Sequence, residues 1–146
     1  MIIGKRKSFP KRGKLLGIDW GEKRIGLAVT DPAQKFVFLR QTPPLRGSRQ
    51  AAGAPVGSLV ELAEDENIVG IVVGLPLRLD GTDSGTTRRV RAFAVELATA
   101  TDIPIILFDE SLTSFEASER TKDKRLLDSE SARVLLENFL AAGNRK

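Results

Sequence analysis

Hydrophobic residues recur along the chain in short runs and in helical stripes, and together these two patterns predict an α/β domain. Short apolar runs bounded by turn-forming residues such as Gly, Asp and Pro indicate strands. Apolar residues spaced three and four positions apart indicate helices that bury one face. The predicted strands cover residues 14–20, 24–31, 35–41, 68–74 and 104–108, and the predicted helices cover 56–66, 86–100, 114–121 and 129–142.

The order of these elements predicts one mixed sheet with helices on both of its faces. Three strands come in succession, and helices then alternate with the remaining strands. A length of 146 residues fits a single folding unit. We therefore expect a five-stranded α/β domain over residues 14–142, followed by a short tail at 143–146.

Positive charge is concentrated at the start of the chain. Residues 1–18 contain six Lys or Arg side chains and no acid, whereas the remaining 17 basic residues are outnumbered by 19 acidic ones. Such a cluster gains affinity for a polyanion by displacing phosphate counterions. A disordered, solubilising tail has the same composition. We interpret residues 1–13 as a flexible basic arm that precedes the domain.

Two amino acids that are common in enzyme sites are absent, because the chain contains no Cys and no His. This composition excludes disulfides, cysteine nucleophiles, thiolate zinc sites and Ser-His-Asp triads. An enzyme built from these residues must use carboxylates, Lys, Arg, hydroxyls or a metal held by oxygen ligands. No apolar run approaches the ~20 residues that span a bilayer, and the N-terminus lacks a secretory signal. We expect a cytoplasmic protein with no membrane partner.

Asp19 is the most informative acid, because it lies inside an otherwise apolar predicted strand. An ionised carboxylate in such a place costs several kcal/mol unless it is paired or bound to a metal. One interpretation is a structural ion pair with Lys23 or Arg24 across the following hairpin. The other is a functional carboxylate, because the adjacent Gly21 allows a phosphate or a metal to approach the backbone closely.

Two further acidic positions lie at predicted element boundaries. Asp109 and Glu110 end the fifth predicted strand, where open α/β sheets place their sites, and strand alternation allows only one of them to point inward. Asp128 precedes the last predicted helix, where it is either the N-cap or a third site acid. Converging acids without histidine suit Mg²⁺ or Mn²⁺, and two such ions can activate water for phosphodiester cleavage.

A glycine-containing loop with arginines follows the fourth predicted strand. The loop covers residues 75–85, with Arg78 inside it and Arg88 and Arg89 just beyond it. It is either an ordinary connection with a solvated arginine face or a surface that follows a phosphate backbone near a helix N-terminus. Because the chain has no Tyr and one Trp, we expect no aromatic platform for single-stranded bases, which favours recognition of the backbone.

Four segments resemble the YqgF/RuvX family, and they occur in the order LLGIDWGEKRIGLAVTD, IVVGLPLRLDGT, FDESLTSFEA and LLDSESARVLLENFL. The resemblance covers residues 14–142. Members of this family are RNase H-like proteins assigned as nucleases of precursor 16S ribosomal RNA, and earlier as Holliday junction resolvases. The resemblance implies an RNase H-like fold and a metal-dependent acidic triad on Asp19, Glu110 and Asp128.

One position departs from the family pattern. The third segment commonly has Arg directly after its acid pair, whereas this chain has Ser111. The loss of that cation weakens a phosphate contact or leaves the acid pair without a partner. Among the three acids that the resemblance implies, Glu110 is therefore the one that this departure affects most.

The resemblance implies a hydrolase that processes the 5′ end of precursor 16S rRNA during ribosome biogenesis with Mg²⁺ or Mn²⁺. Its partner would be precursor rRNA, alone or within a ribosomal particle. Two alternatives remain: a resolvase of branched DNA, which requires a homodimer for two symmetric cuts, and a non-catalytic RNA-binding assembly or regulatory factor. The chain is therefore expected as a monomer or a homodimer. The cations expected to contact the nucleic-acid backbone are Lys23, Arg24, Arg78, Arg88 and Arg89.

Overall fold

The computed structural model describes residues 1–4, 6–21, 25–40, 54–109 and 124–143, with residues 54–55 and 124–129 described by their backbone only. Within these residues, six strands form one sheet and three α-helices pack on it. The strands are β1 (Ile2–Ile3), β2 (Lys14–Trp20), β3 (Ile25–Thr30), β4 (Val37–Arg40), β5 (Ile68–Leu75) and β6 (Ile105–Asp109). The helices are α1 (Ala54–Asp65), α2 (Gly85–Ala100) and α3 (Lys124–Gly143), and a 3₁₀ helix spans Arg6–Ser8.

The sheet has the order β1-β6-β5-β2-β3-β4, with β2 among its inner strands. The pairs β1–β6, β5–β6 and β2–β5 are parallel, whereas β3 runs antiparallel to β2 and β4. Because β2, β5 and β6 run in the same direction, all three finish at one end of the sheet. We refer to that end as the carboxyl end and to the opposite one as the amino end.

Two hydrophobic layers hold the helices against the sheet. On one face, α1 and α2 pack on side chains that include Leu16, Ile18 and Ile71. On the other face, α3 packs through Leu135 and Phe139 on a cluster that includes Leu15. Alternate strand residues supply the two layers, as strand geometry requires. The predicted α/β class, the mixed sheet and the helices on both faces are confirmed.

The sheet has one strand more than the sequence predicts, and that strand lies in the segment interpreted as a flexible arm. Ile2 pairs with Ile105 and Ile3 pairs with Ile106, so β1 extends the sheet beyond β6. A strand of two residues is too short to show an alternating pattern, and the charges that follow it dominate the composition. The segment also buries Phe9, which is 3% exposed.

Element boundaries differ from the predictions by up to five residues. The largest difference is at the last helix, which starts at Lys124 rather than at residue 129. Residues 124–127 are Lys, Arg and two Leu, all of which favour helix, so the helix extends before the acid expected to cap it. The predicted helix at 114–121 lies outside the described residues. No helix in the described part of the chain is long and apolar enough to cross a bilayer.

Candidate active site

Asp19 lies near the carboxyl end of β2, and its side chain is half-buried. On the same strand, Ile18 packs with the α1–α2 layer and Leu15 with the α3 layer. Because successive side chains of a strand point to opposite faces, Asp19 shares the face of Leu15. The carboxylate therefore belongs to the face of the sheet that α3 covers.

Glycines neighbour Asp19 on both adjoining strands. Gly26 of β3 pairs directly with Asp19. On β5, Gly74 follows Val73, the residue that pairs with Ile18. Since glycine has no side chain, neither strand places an atom beyond its backbone beside the carboxylate, and a ligand can approach this part of the sheet closely.

The direction of α3 can be read from its contacts with the sheet. Leu136 lies over Gly17, where an added Cβ would be 2.5 Å from the Leu136 Cγ. One turn later, Phe139 stacks edge-on against Phe9 with ring centroids 5.6 Å apart. Phe9 in turn lies over Gly70, nearer the amino end of the sheet. The helix therefore runs towards the amino end, and its first half lies towards the carboxyl end, where Asp19 is located.

Asp128 belongs to this first half of α3. It is the fifth residue of the helix, so the interpretation of Asp128 as the N-cap is wrong. With 3.6 residues per turn, position 128 lies on the same stripe of the helix as Ala132 and Leu135, which are buried against the sheet. The backbone thus puts position 128 on the sheet-facing side of α3, on the face of the sheet that holds Asp19.

The acids at the end of β6 are separated by strand alternation. Leu107 packs with the α1–α2 layer and Phe108 with the α3 layer. Asp109 is exposed, and its position in the alternation gives it the face opposite to Asp19. Glu110 and Ser111 lie outside the described residues, as do Lys23 and Arg24, so the predicted hairpin ion pair of Asp19 stays a prediction.

The three arginines of the predicted phosphate-binding surface lie near the carboxyl end of the sheet. Arg78 is in the loop that follows β5, and Arg88 and Arg89 are in the first two turns of α2; all three side chains are exposed. The structure therefore brings these arginines to the same end of the sheet as Asp19. Helix α2, which carries Arg88 and Arg89, covers the opposite face from α3.

Hydrogen bonds fix the loop between β5 and α2. Ser84 caps α2: its side chain accepts the N–H of Thr87 at 3.1 Å, and the Thr87 hydroxyl accepts the N–H of Ser84 at 3.0 Å. The same hydroxyl donates to the Pro76 carbonyl oxygen at 2.7 Å. Thr87 is fully buried, so this one side chain ties both ends of the loop to the helix.

The acids of this loop are held by local partners. Asp83 accepts two hydrogen bonds from Arg91, at 2.9 and 3.1 Å, and this contact lowers the pKa of the Asp83 carboxyl. Hydrogen bonds from the Thr82 hydroxyl and N–H lower the pKa of Asp80. Both carboxylates are therefore ionised at neutral pH, and their hydrogen bonds are made within the loop and the following helix.

Several features that shape the site were missed by the sequence predictions. The role of Thr87 is visible in the Ser-x-x-Thr spacing with Ser84, which resembles a capping box, but its bond to Pro76 depends on tertiary structure. The neighbours Gly26 and Gly74 are visible as residues, yet their alignment with Asp19 depends on strand register. A shift of one residue in that register would move either glycine to the other face.

The donor set suits a divalent cation with oxygen ligands. Asp19 offers a half-buried carboxylate between two glycines, and no nitrogen or sulfur ligand from His or Cys exists in the chain. Hard cations such as Mg²⁺ and Mn²⁺ prefer carboxylate oxygens. Among the described residues, no group of three or more acids is close enough to form a complete metal site. The side chains of Glu110 and Asp128 lie outside the described part of the chain.

Comparison with known proteins identifies relatives over almost the whole chain. Residues 13–142 match the model of a family described as "RuvX: Holliday junction resolvase". A protein of Maridesulfovibrio salexigens named "Putative pre-16S rRNA nuclease" is 43% identical over 136 residues, which cover 88% of this chain and 98% of the relative. A protein of the same name from Anaeromyxobacter dehalogenans is 38% identical over 135 residues, with coverage of 87% and 96%.

Solved structures share the fold at low sequence identity. Thermus thermophilus RuvC in complex with a Holliday junction substrate has a TM-score of 0.53 and 16% identity, covering 90% of this chain and 96% of that chain. The yeast mitochondrial Holliday junction resolvase Ydc2 has a TM-score of 0.51 and 13% identity, with coverage of 90% and 79%. These likenesses confirm the expected RNase H-like fold. With the family match over residues 13–142, the resemblance in the sequence is confirmed, and the chain belongs to the YqgF/RuvX family.

Proposed function

We propose that this protein is a divalent-metal-dependent nuclease that processes the 5′ end of precursor 16S rRNA in the cytoplasm. The names of its relatives support the nuclease activity and the substrate. The observation that carries the proposal is the half-buried carboxylate of Asp19, which lies between two glycines on the sheet face covered by α3. Carboxylate oxygens are the ligands that Mg²⁺ and Mn²⁺ prefer in proteins.

The acids that we assign to the metal are Asp19, Glu110 and Asp128. Asp128 is supported by its position in the half of α3 that lies towards the carboxyl end of the sheet. Glu110 is supported by exclusion of its neighbour, because Asp109 belongs to the opposite face of the sheet. These three carboxylates would hold Mg²⁺ or Mn²⁺, which activates water and stabilises the leaving oxygen in phosphodiester hydrolysis.

The protein's cations have a separate role at the same end of the sheet. Three carboxylates repel a polyanion, so binding needs positive charge close to them. Arg78, Arg88 and Arg89 are exposed near the carboxyl end, and we assign them, with Lys23 and Arg24, to contacts with the RNA backbone. Such contacts position the strand without reading its bases. The hydrogen bonds of Thr87 to Ser84 and Pro76 attach both ends of the arginine-bearing loop to α2.

Cleavage of a 5′-extended precursor of 16S rRNA tests the assignment of Asp19. The purified protein is assayed with Mg²⁺ and with Mn²⁺ beside two variants, Asp19→Asn and Asp109→Asn. We expect Asp19→Asn to cut about 100-fold more slowly or worse, since a metal site contributes several kcal/mol. Asp109→Asn is the matched control: it removes an acid from the same end of the sheet but from the opposite face, and it should cut within about threefold of the wild type.

Each contrary outcome points to a definite alternative. Cleavage retained by a folded Asp19→Asn variant contradicts the site. Equal losses in both variants would mean that acidity at this end of the sheet matters, rather than the face that Asp19 occupies. RNA binding without cleavage by the wild type, alone or with precursor ribosomal particles, favours the non-catalytic RNA-binding factor.

A second candidate function is resolution of branched DNA, favoured by the description of the matched family model. Two symmetric cuts in a four-way junction require two active sites related by a two-fold axis. This candidate therefore predicts a stable homodimer and paired cuts in a synthetic junction. Sedimentation of a monomer at assay concentrations would count against it and in favour of the RNA substrate.

A further inference from the structure

The amino end of the sheet carries a cationic surface that the proposed active site does not use. Hydrogen bonds join two segments there. The Gly13 N–H donates to the Pro32 carbonyl oxygen at 2.7 Å. The Gln34 side-chain amide donates to the carbonyl oxygens of Pro10 and Gly13, at 3.3 and 3.1 Å. The segment that precedes β2 is thus attached to the turn between β3 and β4.

This attachment brings three cations and one aromatic ring to the same region. Lys11 and Arg12 lie between the two bonded residues of the first segment, and Lys35 and Phe36 directly follow Gln34 in the turn. The three cations are exposed, and the Phe36 side chain is 65% exposed. No ion pair joins any of these cations to an acid among the described residues. We refer to Lys11, Arg12, Lys35 and Phe36 as the amino-end surface.

The acid nearest to this surface in sequence is engaged with the backbone. One Asp31 carboxylate oxygen accepts the N–H groups of Lys35 and Phe36, at 2.7 and 2.8 Å. These bonds fix the backbone of the turn at the two residues that carry its cation and its ring. A rigid surface loses less conformational entropy on binding than a flexible tail does.

The amino-end surface is too far from the proposed carboxylates to serve the same phosphate. Asp19 follows Gly13 by six positions of extended chain, a distance of about 20 Å at ~3.3 Å per position. Cations at that distance cannot stabilise charge at the cleavage site. They can hold another part of a long substrate.

We propose that the amino-end surface binds a single-stranded segment of the RNA substrate, away from the cleavage site. Cations that neutralise phosphates supply affinity for any nucleic acid. The exposed ring adds the feature that favours single strands, because unpaired bases stack on aromatic side chains. The sequence predicted no aromatic platform for single-stranded bases. The exposed ring of Phe36 departs from that expectation, because the turn between β3 and β4 leaves this side chain at the surface. The inference rests on the proposed function, which supplies RNA as the substrate.

Two variants separate the charge from the ring. In the first, Lys11, Arg12 and Lys35 are all changed to Gln; in the second, Phe36→Leu keeps an apolar side chain without the ring. Binding of a 20-nucleotide single-stranded RNA is measured over a salt series with EDTA present, so that no cleavage is needed. We expect the triple variant to bind at least tenfold more weakly. Its salt slope, the slope of the logarithm of the binding constant against the logarithm of the salt concentration, should fall in magnitude by about 2, since each phosphate contact to a single strand contributes about 0.7. Phe36→Leu should bind several-fold more weakly with the slope unchanged.

A charge-preserving triple variant, Lys11→Arg, Arg12→Lys and Lys35→Arg, is the matched control and should bind like the wild type. Wild-type affinity or an unchanged salt slope in the neutral triple variant would overturn the proposal. So would a loss seen only with duplex RNA or with branched DNA. Because binding is measured without metal, the result does not depend on whether Asp19 supports cleavage.

Discussion

At the scale of single residues, one buried hydroxyl decides the shape of the loop at the carboxyl end of the sheet. Thr87 is fully buried and makes hydrogen bonds with Ser84 and with Pro76. Its hydroxyl oxygen is the half of the capping box that accepts the Ser84 N–H. Valine has nearly the same shape but lacks the oxygen, so substitution isolates the contribution of the hydrogen bonds.

We expect Thr87→Val to lower the free energy of unfolding by about 1–3 kcal/mol, because the Ser84 N–H loses its acceptor and the Pro76 carbonyl oxygen loses its donor. Equilibrium unfolding in urea measures this change. Thr87→Ser keeps the hydroxyl and should recover most of the loss. A Thr87→Ser variant that is less stable than Thr87→Val would show that the methyl group matters more than the hydrogen bonds.

Single residues of the candidate site also differ in whether they could be predicted from the sequence alone. Asp19 stands out because an acid in an apolar strand needs an explanation. The alternation along β6 gives Asp109 the opposite face, and the position of Glu110 stays a prediction. The neighbours of Asp19 could not be predicted in this way. Gly26 and Gly74 are brought beside it by the register of three strands, which depends on the packing of the whole sheet.

At the scale of elements, the contact between α3 and the sheet sets the position of the helix that carries Asp128. Gly17 allows this contact, since an added Cβ would lie 2.5 Å from the Leu136 Cγ. The helix is also the element whose start was predicted least well. The sequence placed its beginning at the acid, whereas good helix formers extend it by more than one turn.

We expect Gly17→Ala to lower the free energy of unfolding by about 1–3 kcal/mol through overpacking, and to reduce RNA cleavage because α3 shifts. The double variant Gly17→Ala, Leu136→Ala should be more stable than the sum of the two single effects predicts, since the smaller side chain removes the clash. Urea unfolding of the four proteins measures the coupling. If the two single effects on the free energy of unfolding add up to that of the double variant, residues 17 and 136 are not coupled through a steric clash.

An ion pair links β4, at one edge of the sheet, to the turn between α1 and β5. Arg40 donates to both carboxylate oxygens of Glu66, through Nε at 3.0 Å and Nη2 at 2.8 Å. The Lys14 ammonium lies 3.8 Å from the same carboxylate. The hydrogen bond from Arg40 is the main reason why the pKa of Glu66 is lower than its ordinary value.

The ion pair between Arg40 and Glu66 predicts how the free energy of unfolding depends on pH. A lowered pKa in the folded state means that the contribution is present above the ordinary pKa of about 4.3 and is lost as the pH falls through the folded-state value. The free energy of unfolding should therefore fall more steeply below pH ~5 in the wild type than in Glu66→Gln. Urea unfolding at a series of pH values measures both slopes. Parallel curves would show that the pair contributes nothing measurable.

At the scale of the whole molecule, described residues that precede residue 13 join the fold, although the family match begins there. The Arg6 guanidinium lies 3.4 Å from the centre of the Phe139 ring and donates to the Phe139 carbonyl oxygen. A cation is favourable there, because the last turn of a helix carries partial negative charge. Phe9 fills the space between Phe139 and Gly70, and Ile2 and Ile3 extend the sheet.

These contacts make the segment part of the core. Composition alone did not indicate this role, because the apolar residues of the segment lie among lysines and arginines. Phe9→Ala should therefore lower the free energy of unfolding by about 3–5 kcal/mol, as for other buried phenylalanines, and removal of residues 1–9 should cost at least as much. Neutralising the exposed Lys7 to Gln is the control and should change stability by less than about 0.5 kcal/mol. A truncated protein as stable as the full chain would mean that the segment is the flexible arm that its charge suggests. Loss of stability on truncation, with the Lys7 variant unchanged, would mean that this chain completes its RNase H-like core with residues that lie outside the family match.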